Sequence, residues 1–353
     1  MTDNDVAVVG FAQAPNVRAT DGTANGVEML VPVFRQVLDE TGLSKKDIGF
    51  WCSGSSDYLA GRAFSFIAAV DAIGAFPPIH ESHVEMDAAW ALFEAWVKLR
   101  TGEVDTALVY GFGKSSAGDL RRTLAMQLDP YFTAPLWPDS VGIAGLQARL
   151  GLESGRFTEQ QMAEVAARSR ADARANPHAQ LSGEVSAGAL LDEPYLADPL
   201  RAHDCAPITD GAAAIVLASG ERARELCERP AWITGLEHRI ESAHLGVRDL
   251  TSSTSTADAA RAAGGAEVEV AELHAPFTHQ EILLREAIGL AESARINPSG
   301  GALCGNPMFS AGLARIGEAA GRIRSGEART ALGHASSGPA LQQNLVCVME
   351  GRG

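Results

Sequence analysis

The chain carries a degenerate copy of itself, and this duplication limits its fold more than any other feature. Val97–Leu108 (VKLRTGEVDTAL) aligns with Arg322–Leu332 (RIRSGEARTAL), pairing Gly102 with Gly326, Glu103 with Glu327, Thr106 with Thr330 and Leu108 with Leu332. Thr41–Cys52 (TGLSKKDIGFWC) aligns with Ala263–His274 (AGGAEVEVAELH), which sets Cys52 against His274. Val8–Phe11 (VVGF) matches Ile233–Leu236 (ITGL). Three matches in one order, at a nearly constant offset, divide the chain into two related halves. These are residues 1–225 and 226–353.

Each half reads as strand, helix, strand, then a third strand entering a helix and a further strand. In the first half the pattern predicts strands over 6–10, 48–53, 80–85 and 106–110, with helices over 26–40 and 88–100. Strands alternating with amphipathic helices imply α/β architecture built from parallel, right-handed βαβ units. The 36 glycines suit its many tight turns. Apolar runs at 212–218 and 345–349 predict a closing strand for each half. Between the halves' shared elements, residues 115–207 form an insertion in the first half. It holds an aromatic, proline-rich stretch, Pro130–Pro138, and a helical stretch near 158–176, a layout that suits a cap over a site. The duplication makes the helices beginning near Ala88 and Ala311 equivalent. Their N-termini are expected to point at one shared centre, where negative charge is favoured.

Charge and cysteine usage exclude several classes. The net charge of −15 argues against a nucleic-acid footprint and against adhesion to anionic membranes. Five cysteines, Cys52, Cys205, Cys227, Cys304 and Cys347, show no CxxC spacing, so neither a disulfide framework nor a metal site is expected. No charged-then-apolar leader precedes Val6 and no apolar run is long enough to span a membrane, which predicts a cytoplasmic protein without membrane insertion.

The strongest site signal lies between Glu267 and Gly312. Val268–Leu273 alternates apolar and acidic residues, as a strand does, and delivers His274 in HAPFTH. Asn297–Pro307 (NPSGGALCGNP) follows as a glycine-rich loop. Gly300 and Gly301 there let the backbone approach a ligand or another segment closely.

With these residues in view, the chain resembles the thiolase superfamily, in the branch of sterol-carrier-protein thiolases and actinobacterial lipid-transfer proteins. The resemblance runs through nearly the whole chain. It rests on His203–Ser219 (HDCAPITDGAAAIVLAS), Glu272–Phe277 (ELHAPF), Asn297–Pro307 and Leu99–Ser116 (LRTGEVDTALVYGFGKSS). It implies a five-layered αβαβα fold, acyl-CoA substrates and a dimer, formed with itself or with a thiolase-like paralogue. It also implies an interface strand over 79–84. No cofactor is implied beyond the CoA of the substrate.

The chain departs from that family at the residues that carry its chemistry. In thiolases a nucleophilic cysteine opens the helix that ends in the R-(S/T)-G-E turn. Counting back from Gly102 places that position on Glu85, with Asp87 beside it and no cysteine nearby. Thiolases usually read GHP where this chain has Gly305-Asn306-Pro307, and GHASSG, with His334, stands where they place a second cysteine. Without a thiol pair there is no acyl-enzyme cycle. What remains suits proton transfer and oxyanion binding. His274 would face the thioester and Asn306 would supply a second donor. The base is Glu85, Asp87 or His334. Phe277 and Trp137, the latter with Tyr131, Phe132 and Leu136 in the insertion, are candidate substrate-lining residues. The resemblance therefore points to a thiolase-like aldolase (a lyase) that cleaves a β-hydroxyacyl-CoA, as steroid side-chain aldolases of this branch do with an OB-fold and zinc-ribbon accessory protein. The alternatives are an acyltransferase using a non-cysteine route, and a non-catalytic lipid-transfer or partner subunit.

Overall fold

The computed structural model describes residues 5–21, 26–57, 64–74 and 79–352. The expectation about a leader falls partly on residues 1–4, outside the described residues. The first half runs β1 (Val6–Gln13), α1 (Gly26–Thr41), β2 (Phe50–Gly54), α2 (Ser65–Ile73), β3 (Glu81–Val84), α3 (Ala88–Thr101) and β4 (Thr106–Lys114). The insertion adds α4 (Leu120–Met126), α5 (Ser140–Glu153), α6 (Glu159–Asp172), α7 (Ala187–Leu191) and a small hairpin, β5 (Tyr195–Ala197) with β6 (Leu200–Arg201). The chain then returns through β7 (Ile208–Ser219) and α8 (Gly220–Leu226). The second half contains β8 (Ala231–Ile240), α9 (Thr254–Ala263), β9 (Val270–Glu272), α10 (Thr278–Ile288), β10 (Arg295–Ile296), β11 (Asn306–Pro307), α11 (Ala311–Arg324), β12 (Thr330–Ser337) and β13 (Gln343–Gly351).

The strands form two five-membered arrays, β3-β2-β4-β7-β1 and β10-β9-β12-β13-β8, joined edge to edge where β1 meets β8. Numbered within its own half, each array has the same order: third, second, fourth, fifth, first. The strands of the βαβ units run parallel as expected, and the antiparallel ladders belong to the closing strands. β2 runs parallel to β3 and β4, and β9 to β10 and β12, but each closing strand is antiparallel to both neighbours. β7 and β13 each sit between two strands that share one direction, so both of their ladders are antiparallel.

Strand alternation builds the layers. Val6, Val8, Ala107 and Val109 face a core shared with α3 and α11, and so do Ala331, Ala335, Leu345 and Cys347 of the other array. The intervening residues Ala7, Val9, Leu108 and Tyr110 pack on α1. Leu332, Val346 and Val348 pack on α9 and α10. The result is five layers, helix–sheet–helix–sheet–helix. The central pair of helices is lined by small residues, among them Ala88, Ala91 and Ala95 of α3 and Ala314, Ala319 and Ala320 of α11. Small side chains let both sheets close onto one helical layer.

The register refines the internal alignment. Val8 pairs with Leu217 and Ile233 with Met349, and a bulge follows in both ladders before Gly10 and Gly235. A Cβ on Gly10 would lie 2.6 Å from Thr41, and one on Gly235 would lie 2.1 Å from Ala263, so these helix ends correspond as aligned. The following strand does not. Phe50 pairs with Ala107 and Val270 with Ala331, so Cys52 corresponds to Glu272, not His274. A slip of two keeps every side chain on its own face, and hydrophobic pattern alone cannot detect it.

Candidate functional site

The N-termini of α3 and α11 meet, and Asp87 joins them. Asp87 is the N-cap of α3, and its Oδ1 accepts from the N–H groups of Ala89 (2.9 Å) and Leu313 (3.0 Å). Its Oδ2 accepts from Gly312 N–H (2.9 Å). Phe309 O takes the N–H of Ala88 (2.9 Å). The carboxylate is buried and rests against Gly312, where a Cβ would come within 2.7 Å of Oδ1. The anion expected at the shared helix ends is thus supplied by the chain itself.

Glu85, the other carboxylate of the pair, is elsewhere. It follows the end of β3, its side chain is 58% exposed, and its nearest ionic partner is His83, 3.7 Å away. The helix begins at Ala88, so the residue that opens it is Asp87. Counting back along the chain overshoots by two residues.

His274 leaves β9 on the same side as these helix ends and is 8% exposed. Its Nε2 lies 2.9 Å from Asn306 Oδ1, and its Nδ1 lies 3.2 Å from Ser336 O and 3.3 Å from Ser336 N. The Ser336 hydroxyl donates to His274 O (3.0 Å). Burial lowers the imidazole's proton affinity, while Asp87 and Asn306 work in the opposite direction. Asn306 is only half-buried. Its amide Nδ2 makes no hydrogen bond to a described residue, which leaves a donor available at the mouth of the site.

The glycine-rich loop braces this arrangement from behind. Asn297, at φ +49°, accepts from Leu273 N–H (2.6 Å) and donates to Glu281 (2.8 Å). Ser299 donates to Glu272 through both its N–H and its hydroxyl, and Arg315 completes a buried ion pair with that carboxylate at 3.0 Å. Burial pushes the Glu272 carboxyl up to about 7 against the pull of Arg315. Gly300 and Gly301 face packing neighbours. Cβ atoms there would meet Ala173 of the insertion at 2.6 Å and Asn297 at 2.9 Å.

His334 is brought close in sequence but not into the site. It is fully buried on the outer face of its sheet, with Nε2 on Asn344 Oδ1 (3.0 Å), and burial lowers its pKa to about 3. The contribution of GHASSG to the site is Ser336 instead. The sequence signal for it was the same strand, read two residues too early. Gly111 and Gly113 of β4 were also missed. Cβ atoms there would lie 2.3 Å from Phe309 O and 2.2 Å from Met308 O, so these glycines let the Asn306–Phe309 loop lie directly on the strand.

No cysteine stands at the helix ends. Burial raises the thiols of Cys52, Cys205, Cys304 and Cys347, the second and third to about 12. Among the described residues, no group of three or more His, Cys, Asp or Glu could hold a metal ion. No helix among them is long and apolar enough to cross a membrane.

The insertion approaches from the His274 side. Cys205 bridges to Phe277, three residues after His274, and the charges of Arg121 and Asp139 act on that thiol. Those two residues line a cavity of about 450 Å³ with Asp119, Arg122, Ala125 and Trp137. Trp137, at φ +49°, is 56% exposed. Tyr131, Phe132 and Leu136 are exposed and do not form the apolar wall expected of them.

Known proteins resemble this chain, some along nearly its whole length. An acetyl-CoA acetyltransferase of Methanothermobacter thermautotrophicus is 26% identical over 92% of both chains. The benzoylsuccinyl-CoA thiolase subunit BbsB of Thauera aromatica is 28% identical over 48% of this chain and 50% of its own. Sterol carrier protein 2 of Gallus gallus is 22% identical over 96% of this chain and 69% of its own. By sequence and by fold the chain is similar to proteins of the thiolase superfamily. No family profile matches it. Among solved structures, an Ltp2-ChsH2(DUF35) aldolase superposes with a TM-score of 0.82 at 18% identity, covering 99% of both chains. A monomeric SCP2-thiolase-like protein from Mycobacterium smegmatis gives 0.79 at 20% identity, covering 99% of this chain and 78% of that one. Human mitochondrial 3-ketoacyl-CoA thiolase gives 0.79 at 14% identity, with full coverage of both. These superpositions agree with the thiolase fold of five layers described above.

Proposed function

We propose that this thiolase-superfamily chain is a carbon–carbon lyase that cleaves a β-hydroxyacyl-CoA by a retro-aldol step. The observation that carries this reading is the pairing of His274 with Asn306 beside helix ends occupied by a carboxylate instead of a thiol. A base removes the β-hydroxyl proton. The β-oxygen becomes a carbonyl as the Cα–Cβ bond breaks, and the electron pair passes into the thioester enolate. Protonation at Cα gives a short acyl-CoA, and the other fragment leaves as a ketone or aldehyde. The Asn306 amide, whose Nδ2 has no partner among the described residues, would donate to the enolate oxygen. The aldolase among the structural neighbours supports the reading.

The cavity beside Trp137 supports a CoA thioester as substrate. Its lining is mostly charged, and Arg122 forms no ion pair with a described residue, which suits phosphate better than an apolar tail. The tail, a steroid side chain or another bulky group, would extend from the opposite end, past Phe277. Work within a hetero-complex is a second reading, favoured by relatives named as a subunit or as a two-protein aldolase. An OB-fold and zinc-ribbon accessory protein is the partner we would test first.

Purified protein should be incubated with β-hydroxyacyl- and β-ketoacyl-CoA thioesters, with and without free CoA and candidate partners, and the released acyl-CoA followed by mass spectrometry. Cleavage of the β-hydroxy substrate without free CoA is expected. Loss of about 100-fold or more in His274→Ala and Asn306→Ala would accompany it. Cleavage only of the β-keto substrate, and only with CoA, would mean thiolysis and overturn the lyase reading. Silence in every arm would leave the carrier or scaffold role.

A further inference from the structure

We propose that Arg168, on helix α6 of the insertion, is a positioning residue for His274, acting through a buried relay of Glu281 and Asn297. Its effect on rate rests on the lyase reading. The geometry of the relay does not.

The relay runs from the insertion to the strand end that carries His274. Arg168 Nη2 donates to both oxygens of Glu281, at 2.6 and 2.7 Å. Glu281, on α10, is fully buried, and its Oε2 also accepts from Asn297 Nδ2 (2.8 Å). Asn297 Oδ1 accepts from the N–H of Leu273 (2.6 Å), the residue immediately before His274. A carboxylate beside a guanidinium accepts, and a backbone N–H donates, so the Asn297 amide has one orientation that satisfies both. Gly301 leaves room for it. A Cβ there would lie 2.9 Å from Asn297 Nδ2.

The same stretch of the insertion holds the glycine-rich loop at two further points. Asn176 Nδ2 donates to Ser299 O (3.0 Å), and Ser299 in turn holds Glu272, two residues before His274. The N–H groups of Gln180 and Leu181 donate to Cys304 O (2.8 and 3.0 Å), two residues before Asn306. Residues 168–181 therefore grip both partners of the His274–Asn306 contact, and Arg168 supplies the charged tie. A buried ion pair adds little stability over an apolar pair of the same volume. What an apolar pair could not supply is the acceptor that orients Asn297. Without Arg168, the remaining donor to Glu281 among the described residues is Asn297. The carboxylate must turn to recover what it lost, and the Asn297 amide then follows it or loses its acceptor. In both cases the bond to Leu273 N–H lengthens and the 2.9 Å spacing of His274 and Asn306 is no longer set.

The relay is tested with Arg168→Met, Arg168→Lys, and Arg168→Met combined with Glu281→Gln. The Leu273 amide and the His274 imidazole are followed by NMR, and cleavage of a β-hydroxyacyl-CoA is measured per folded molecule. Arg168→Met should speed hydrogen exchange at the Leu273 amide and move the imidazole signals. It should lower kcat about 10-fold with KM changed less than about 2-fold. Both bonds to Glu281 come from one nitrogen, which a lysine ammonium can replace, so Arg168→Lys should recover most of kcat. The combined variant should recover kcat to within about 3-fold, because it buries no unpaired charge and the glutamine oxygen still accepts from Asn297. Arg149→Met, which breaks an exposed pair with Asp198 elsewhere in the insertion, should move none of these signals. Wild-type Leu273 and His274 signals in folded Arg168→Met would overturn the proposal. So would a loss of kcat that neither recovery variant repairs, or the same shifts in Arg149→Met. If Arg168→Met does not fold, Glu281→Gln decides. The Leu273 amide proton should move upfield in that variant, and an unmoved signal overturns the relay. Shifted signals in a protein whose wild type cleaves no thioester would sink the lyase reading and leave the relay standing.

Discussion

The bond between Asn306 and His274 depends on a glycine in another strand, and Gly113→Ala should break it. A Cβ on Gly113 would lie 2.2 Å from Met308 O and 3.1 Å from the carbon of the same carbonyl. Both contacts are with backbone, which cannot rotate away. Reaching an ordinary contact distance requires the loop to retreat by about 1 Å. The loop is short and anchored at both ends. Asn306 and Pro307 pair with Ile208 and Thr209, and Phe309 O holds the first N–H of α3. A retreat of 1 Å at Met308 therefore lengthens the 2.9 Å contact between His274 and Asn306 beyond hydrogen-bonding distance. Overpacking of this kind costs about 1–3 kcal/mol of stability. Misplacing a catalytic donor by about 1 Å costs on the order of 100-fold in rate. Denaturant unfolding and thioester cleavage would be measured together, with the His274 imidazole followed by NMR. A variant whose cleavage rate and imidazole signals match the wild type would refute the claim that β4 sets the loop's position.

Three further outcomes follow from the same structure. His279 and His334 are buried, and burial alone or chiefly takes their pKa from 6.5 to about 3. The unfolded chain binds protons that the fold refuses, so stability should fall as pH drops from about 6.5 toward 3, and His279→Gln with His334→Gln should flatten that slope in denaturant titrations. Asp210 is fully buried and accepts from the N–H and hydroxyl groups of both Thr20 and Ser116. Asp210→Ala should cost about 3 kcal/mol, read as a lower denaturation midpoint. β3 has β2 on one side and no strand on the other among the described residues, and we expect it to pair across a subunit interface. A monomer in light scattering at micromolar concentration would count against this.

Much of the fold was legible because it rests on periodicity. The helix starting at Ala88 and the one spanning Ala311–Arg324 begin where the apolar pattern places them, and the repeated Gly10 and Gly235 mark equivalent bulges. The errors share one cause. The alignment of Cys52 with His274, and the count that puts the helix-opening residue at Glu85, each miss by two positions. Period-two patterning is blind to such a slip in a strand, and a helix start is fixed by its cap, not by counting from the other end. GHASSG stands where thiolases place a second cysteine, which draws attention to His334, but whether that side chain points into the site depends on pairing across the sheet. Asn344 captures it, and the backbone of Ser336 does the work near His274. Gly113 carried no chemical signal at all, because its importance lies in a loop almost two hundred residues away.

The same geometry bears on why this chain would not behave as a thiolase even if a cysteine were restored elsewhere. A thiolate nucleophile draws on helix-end N–H groups to hold its charge. Here three such groups are already bound to Asp87, and Phe309 O takes a fourth. Asp87→Cys would free three of them at the position where an anion is best held. The introduced thiol should therefore ionise well below the ordinary value near 8.5, measurable as the pH midpoint of its alkylation by iodoacetamide. An ordinary midpoint would mean that the two helix ends do not stabilise charge at this position. The account of Asp87 as a resident anion would then fail with it. A depressed midpoint without thiolysis of a β-ketoacyl-CoA would show that the charge site survives in a molecule whose remaining groups are arranged for different chemistry.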